Sequence, residues 1–465
     1  MINSKNIIYI ISLISTFLCL YFTQILHNQQ YEYIYLLPLS LFILSVLFSK
    51  NFEYLKHSLV FNVFLIQAVI RYCILPVQIS YDGYTMIGFN SKNSNAATFV
   101  MIAELISVFF VFHIISTKQY HANRNRSNKI ILLENNIPLF ILIILMFCYL
   151  YFSQYFDIVN PIWNLNEFVR QNIMYNEKNE IPSLAGLLFS PFKAIIALLL
   201  MSLVVKSKKI KQKNKKYYLL LLISLLSFFI VGVSRWSILS FAIPLIILAV
   251  NYMLDKKTAR QLILIIIPFL LFIIISSSIA KFNRQDSQEY TINNIFNVAS
   301  LNAYFSGIGN IAVGIDAYEN LESKNHLSFF INDIFQNVPL ASKYTNDKYK
   351  SNFVFNKHIY GHNMYQIQIV PLSIAGIFHF DFIGCFIYSS FFLAIAFMFE
   401  RKSYKTEYIP YKYLYISLAF TLSLVFMLNI GSMVATIIRS LLFILLPFVL
   451  IEKIQKINQW QRRLV

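Results

Sequence analysis

The chain has 465 residues, of which 57% are hydrophobic and 13% charged, and its formal net charge is +18. A soluble protein of this length carries about a quarter charged residues, so the composition excludes an ordinary soluble globular fold. A basic balance of this size also raises nucleic acid as a partner, but the placement of the basic residues, taken up below, assigns them to membrane orientation instead.

Repeated apolar runs of about 20 residues match the thickness of a hydrocarbon core. Backbone groups in lipid must be hydrogen-bonded internally, so the runs are predicted to be helices. The first four are Ile7–Leu26, Tyr33–Phe48, Leu59–Ile79 and Ala96–Ile115, with short connections. One lysine precedes the first run and no small-residue cleavage site follows it, which predicts a retained helix. Arg71 and Glu104 lie in the third and fourth runs, at a similar distance from the same end. Ionisable groups inside a membrane are costly and face a partner or a wet cavity, so the two are expected to meet as an ion pair or to line a substrate cavity.

The fifth run, Ile137–Phe156, leads into the segment Asp157–Ser183. Within it, Asn164–Tyr175 reads as a short amphipathic helix at the interface, anchored by Trp163 and carrying Arg170. Leu184–Val205 follows, with Lys193 inside it. After the lysine-rich stretch Lys206–Lys216 come Tyr217–Val233 and Ile238–Met253, joined by little more than Gly232-Val-Ser-Arg-Trp-Ser237. The ninth run, Leu262–Ala280, ends before the longest polar stretch of the chain, Lys281–Asp381. That stretch opens with Lys281 and Arg284, carries charges of both signs and many tyrosines, and closes with Gly361-His362-Asn363-Met-Tyr365. The last runs are Phe382–Phe399, Tyr413–Ile430 and Val434–Ile451, the last of which contains Arg439.

The expected fold is therefore an all-α polytopic membrane protein with about twelve transmembrane helices and one large external loop. Its parts are helices one to nine over 1–280, the loop over 281–381, and helices ten to twelve with a tail over 382–465. Basic residues prefer the cytoplasmic side. Arg124, Arg126, Lys129, the Lys206–Lys216 run, Lys256, Lys257, Arg401, Lys402 and Lys453 fall on one side if both termini are cytoplasmic. The loop 281–381 then lies outside the cytoplasm. Cys19, Cys73, Cys148 and Cys385 all fall in apolar runs and have neither metal-ligand spacing nor a disulfide framework.

Lys193, Arg235, Lys281, Arg284 and Arg439 come from separate segments near the outer boundary, against the usual bias. Positive charge focused at one depth suits a phosphate or pyrophosphate, for which arginine offers a fork of donors. The loop adds acids, tyrosines and histidines, but no zinc spacing, Walker loop, dinucleotide turn or serine elbow. No metal or cofactor is expected.

The run from Gly361-His-Asn-Met to Gly376-Ile377 resembles the His-Asn then Gly-Ile/Leu pattern that follows the large periplasmic loop in the O-antigen polymerase and ligase superfamily. Val233-Ser-Arg-Trp236 resembles the superfamily's short Ser-Arg motif between two helices. The length and twelve-span plan look most like the Wzy-type polymerases. Val370-Pro371 departs from the pattern, standing where an acidic or small residue is more usual. The resemblance implies a GT-C-like, metal-independent glycosyltransferase in the bacterial inner membrane. It would join undecaprenyl-pyrophosphate-linked oligosaccharide repeats at the periplasmic face, with a flippase and a chain-length regulator as candidate partners. By matched position, Arg235 and Arg284 would hold pyrophosphate and His362 would serve near the acceptor hydroxyl. Arg170, Lys193, Lys281, Asn363 and Arg439 would bind substrate. His379, outside the Gly-His-Asn context, is expected to be replaceable. An O-antigen ligase and a lipid-linked oligosaccharide flippase are the alternatives.

Overall fold

The structure, a computed structural model, describes residues 4–26, 29–85, 91–124, 129–133, 137–161, 183–231, 235–266, 268, 297–336, 338, 341–361 and 368–453. Among these the regular structure is helical apart from one short antiparallel ribbon and an isolated bridge. Among the described residues six helices are long and apolar enough to cross a membrane, and up to eight if each of two bent pairs is one span. The chain is thus an all-α, multi-pass membrane protein. It divides into two compact units.

The first unit takes in Met1–Asn125, Phe296–Arg401 and Ala419–Ala435. Its first helices are α1 (Ser4–Leu26), α2 (Leu36–Leu47), α3 (Ser49–Leu55), α4 (Leu59–Asp82) and α5 (Ser94–Arg124). α4 begins at Ser58, whose hydroxyl accepts from the Phe61 N–H at 3.2 Å and donates to Glu400 at 2.6 Å. Midway, α4 widens into a π turn at Ile70–Ile74, the kind of local bulge that re-aims a side chain. The side chain it carries is Arg71, fully buried, with Nη1 2.8 Å from Glu104 Oε2 on α5. The contact is electrostatic, since neither Nη group makes a hydrogen bond. The Arg71 Nε–H instead donates to the Ser306 carbonyl at 3.0 Å, and the guanidinium lies 4.0 Å from the centre of the Phe426 ring. The two charges expected to share a depth do meet.

Both of Arg71's other neighbours belong to interruptions in helical structure. Ser306 lies between α11 (Val298–Tyr304) and α12 (Ile308–Glu319), which meet at 64°, and it has a positive φ of 47°. Phe426 lies in the non-helical stretch after Leu422, inside the run expected to be one continuous helix, Tyr413–Ile430. Gln67, one turn before Arg71, serves that second break: its Nε2 donates to the Ser423 carbonyl at 3.0 Å and its Oε1 accepts from the Phe426 N–H at 3.4 Å. Irregular backbone at membrane depth is tolerated only where such partners are supplied.

The described part of the stretch 281–381 is not a plain polar loop. It forms α11, α12, α13 (His326–Phe335), α14 (Ser351–Tyr360) and α15 (Leu372–Phe380). α12 is buried along nearly its whole length and α15 from Leu372 to His379. Gly314 of α12 lies against Ile374 of α15, where a Cβ would come within 2.5 Å of the isoleucine side chain. Asp381, at φ 57°, then reverses the chain, its carboxylate accepting from the Phe382 N–H at 2.8 Å and the Tyr318 hydroxyl at 3.0 Å. A short 3-10 turn, Asp381–Phe386, leads into α16 (Ile387–Lys405). In a straight helix Gly376 and Gly384 would stand about 12 Å apart. Here their backbones touch, and a Cβ on either would run into the carbonyl oxygen of the other. The expected span Phe382–Phe399 therefore begins with a folded-back hairpin.

The second unit takes in Arg126–Ile295, Lys402–Leu418 and Thr436–Val465. It contains α6 (Ile137–Phe152) and β1 (Val159–Pro161), then α7 (Ser183–Lys206), α8 (Gln212–Phe228) and β2 (Phe229–Val231). α9 (Arg235–Leu248) runs on through a π turn at Ala249–Met253, and α10 spans 256–266. Parts of α17 (Ile409–Leu422) and α18 (Ile430–Lys453) complete it. β1 pairs with β2 in the register Val159 to Val231 and Pro161 to Phe229. The ribbon takes up Phe229–Val231, which the sequence assigned to the end of a helix. At the other end of α8, Lys216 is paired with Gln261 of α10.

The glycine contact makes the first prediction. Gly384→Ala should abolish recovery of folded, monodisperse protein from the membrane. Gly186→Ala, in α7, should be tolerated, because its Cβ would sit 3.6 Å from the Tyr155 hydroxyl, ordinary packing distance, and alanine favours a helix interior. Size-exclusion chromatography of a fluorescent fusion checks both.

Candidate functional site

Lys193 and Arg439 are the two cationic candidates whose side chains the structure describes. Lys193 lies on α7, two residues after Pro191. Its ammonium is buried and donates to the Phe229 carbonyl of β2 at 2.7 Å. Pro161, opposite Phe229 in the ribbon, has no N–H to offer that carbonyl, so lysine supplies the donor. The ammonium also sits 4.5 Å from the centre of the Phe241 ring and 5.4 Å from that of Phe189. Cation–π contact partly offsets lost hydration.

Phe189 continues the cluster. Its ring centre is 5.5 Å from that of Tyr155, in the turn that follows α6. The Tyr155 side chain lies within electrostatic reach of the Arg439 guanidinium. Arg439 is half-buried on α18, and its Nε, itself out of contact with solvent, makes no hydrogen bond among the described residues.

Arg439, Tyr155, Phe189, Lys193, Phe229 and Phe241 thus form a continuous cluster within one unit. The described ion pairs give neither Lys193 nor Arg439 a carboxylate partner. Arg235 opens α9 a few residues after β2, the strand that Lys193 bonds. Its side chain lies outside the described residues, as do Arg170, Lys281, Arg284, His362 and Asn363. Tyr155 and the aromatic lining were not legible in the sequence, because they are spread over three segments with no common spacing.

His379 is a correction. Expected to be replaceable, it is buried, with Nε2 2.8 Å from Asp333 Oδ2 and Nδ1 2.6 Å from the Tyr388 hydroxyl. The other Asp333 oxygen accepts from the Ser351 N–H at 3.0 Å, which ties α13 to the start of α14. A helical wheel would have signalled Asp333, which shares the inward face of α13 with Phe329 one turn earlier. No group of three or more histidine, cysteine or acidic side chains suited to a metal is present among the described residues.

His379→Ala should lower thermal stability by about 2 kcal/mol, the cost of leaving a buried carboxylate oxygen unpaired, measured by detergent-phase thermal unfolding. Lys193→Met should behave oppositely. Removing a buried charge that has no counter-ion relieves a desolvation cost, which offsets the about 1–3 kcal/mol of leaving the Phe229 carbonyl without its donor, so folding should persist while any anion-dependent activity falls.

No family model matches the chain, and no curated protein or solved structure is similar to it, so the site is read from its own residues and geometry.

Proposed function

We propose that the protein is a polymerase that joins oligosaccharide repeats carried on undecaprenyl pyrophosphate, at the outer face of a bacterial inner membrane. The observation that carries this reading is the cluster that gathers the buried Lys193 and the half-buried Arg439 around the same aromatic side chains, with no carboxylate paired to either among the described residues. Cations buried without counter-ions are expensive in a membrane protein. A lipid-borne pyrophosphate supplies the missing charge and explains why they are kept. In this reading the chain has twelve spans, both termini are cytoplasmic, and the segment 281–381 is periplasmic.

The reaction needs little acid assistance, because pyrophosphate leaves well once its charge is stabilised. An acceptor hydroxyl on one repeat attacks the anomeric carbon of the other. The new glycosidic C–O bond forms as the bond to pyrophosphate breaks, and the leaving group departs as lipid diphosphate. The hydroxyl proton passes to a base, for which His362 is the candidate. Arg235 and Arg284, with Lys193, Lys281, Arg170 and Arg439, would hold the pyrophosphate. Asn363 would sit by the acceptor. No metal enters this scheme.

A second reading, a flippase for the same lipid-linked sugars, is favoured by the broken segments around Arg71, since discontinuous helices are common in transporters. The deletion strain separates the readings. A missing polymerase leaves single repeats on the surface acceptor and no long chains. Long chains held on lipid outside the cytoplasm would instead indicate a ligase, and repeats trapped at the cytoplasmic face a flippase. Arg235→Ala, Arg284→Ala and His362→Ala should each reproduce the deletion at normal membrane abundance. Lysine at 235 or 284 should rescue partly, because a fork of donors becomes a point charge. Reporter fusions at Lys209, Lys257 and Lys402 should read as cytoplasmic, and one at Asn325 as periplasmic.

A further inference from the structure

α13 has three faces. Phe329 and Asp333 point into the protein, and Asp333 is held there by His379 and Ser351. Ser328 and Asn332 form a polar edge, with Asn332 accepting from the Asn346 N–H. The third face, Leu327, Ile331 and Phe335, follows i, i+4, i+8 spacing and is exposed, Leu327 by 67%. The only acid of the helix is turned inward, so this outer stripe carries no charge.

The stripe does not stand alone. Phe330, beside it on α13, packs against Phe380 with ring centres 5.9 Å apart and planes tilted by 55°. Phe380, Phe382 and Ile383 form the tip of the glycine hairpin and are exposed as well, Ile383 by 70%. A contiguous uncovered apolar surface of this kind marks a site of interaction. It continues along the chain through Phe386, the last residue of the 3-10 turn, to Phe391 of α16, both exposed and both within the stretch Leu372–Lys405 that is long and apolar enough to cross a bilayer.

The level of the tip is informative. At the far end of α16, Glu400 accepts from Ser58 and from the Leu59 N–H, and Arg401 and Lys402 follow. From Glu400 back to Ile387 the helix rises about 20 Å, and the 3-10 turn adds about 10 Å. The sum is about one hydrocarbon thickness. The hairpin tip and the α13 stripe therefore stand one membrane core away from the basic end of α16.

We propose that α13 and the Phe380–Ile383 tip form a platform seated on the lipid surface, with Leu327, Ile331 and Phe335 in the boundary between headgroups and acyl chains. The occupant is lipid, because the α13 stripe is uncharged, the one charge of the tip, Asp381, is engaged by the Tyr318 hydroxyl and the Phe382 N–H, and the surface is continuous with the exposed apolar side of α16 at the level where the hydrocarbon ends. Such a platform fixes the height of α14 and α15 above the membrane, since Asp333 and His379 tie both to α13 or its neighbours.

The test places a bimane label on the full-length chain at Leu327→Cys, Ile331→Cys and Ile383→Cys, one at a time, in a Cys148→Ala background and in phosphatidylcholine vesicles. The other native cysteines are buried. Lys348→Cys, on an exposed polar turn, is the water-facing control. A lipid carrying a doxyl quencher near its headgroup should remove about half of the emission from the three platform positions, as expected for shallow burial, while aqueous iodide leaves them unchanged. Lys348→Cys should show the reverse. Quenching of the platform labels by iodide would overturn the proposal. So would shielding from both quenchers, which would mean a protein surface covers the stripe.

Discussion

Arg71 is the constraint on which the first unit depends. A guanidinium buried at membrane depth demands compensation, and the chain supplies it from four directions: Glu104, the Ser306 carbonyl, the Phe426 face and the π turn that aims the side chain. The compensation runs both ways. Ser306 and the stretch around Phe426 are places where helical hydrogen bonding stops, and carbonyls there need donors that lipid does not offer. Arg71 and Gln67, one turn apart on α4, provide them. Removing one partner of such a buried pair typically costs about 3–5 kcal/mol, and here it would also strip a donor from a helix break. The same four groups therefore satisfy the charge and hold open two interruptions that an uninterrupted apolar helix would not contain.

A second constraint is steric. Gly376 and Gly384 bring two backbones into contact, and this lets α15 fold back beside the start of α16 instead of extending it. Asp381 pins the reversal through Tyr318 on α12, so the hairpin is fastened to the helix it packs against. Asp333 and His379 fasten the next layer. What looks in sequence like a long polar connection is in its described part a set of short helices held by a few buried polar contacts, each satisfied on more than one side. That arrangement gives a polar segment a defined geometry at a membrane surface.

The second unit uses positive charge differently. Lys193 bonds a carbonyl left without a ribbon donor by Pro161, and aromatic faces surround its ammonium. Arg439 Nε has no hydrogen-bond partner among the described residues and lies near Tyr155. The first unit answers the buried Arg71 with a carboxylate, whereas among the described residues neither Lys193 nor Arg439 has one. That difference in chemistry is the physical basis for reading the second cluster as a place where an anion is held.

Sequence alone determined that this is a helical, multi-pass membrane protein, because composition and the length of apolar runs are set by the bilayer and not by packing. It also determined that Arg71 and Glu104 belong together, since two opposite charges at matching depth have few other solutions. It marked Lys193 and Arg439 as unusual, but gave no sign that Tyr155 and Phe189 connect them. Tertiary structure decided where helices break. The interruption after Leu422 lies in a sequence as apolar as its neighbours, and Gln67 from another helix supplies partners for its freed backbone groups. Tertiary structure also decided that His379 is buried and Ile331 exposed. A histidine in an apolar run and an isoleucine in a polar one each read the opposite way until their neighbours are known. Hydropathy reports the solvent a segment prefers, whereas burial of a single side chain is fixed by what other segments bring against it.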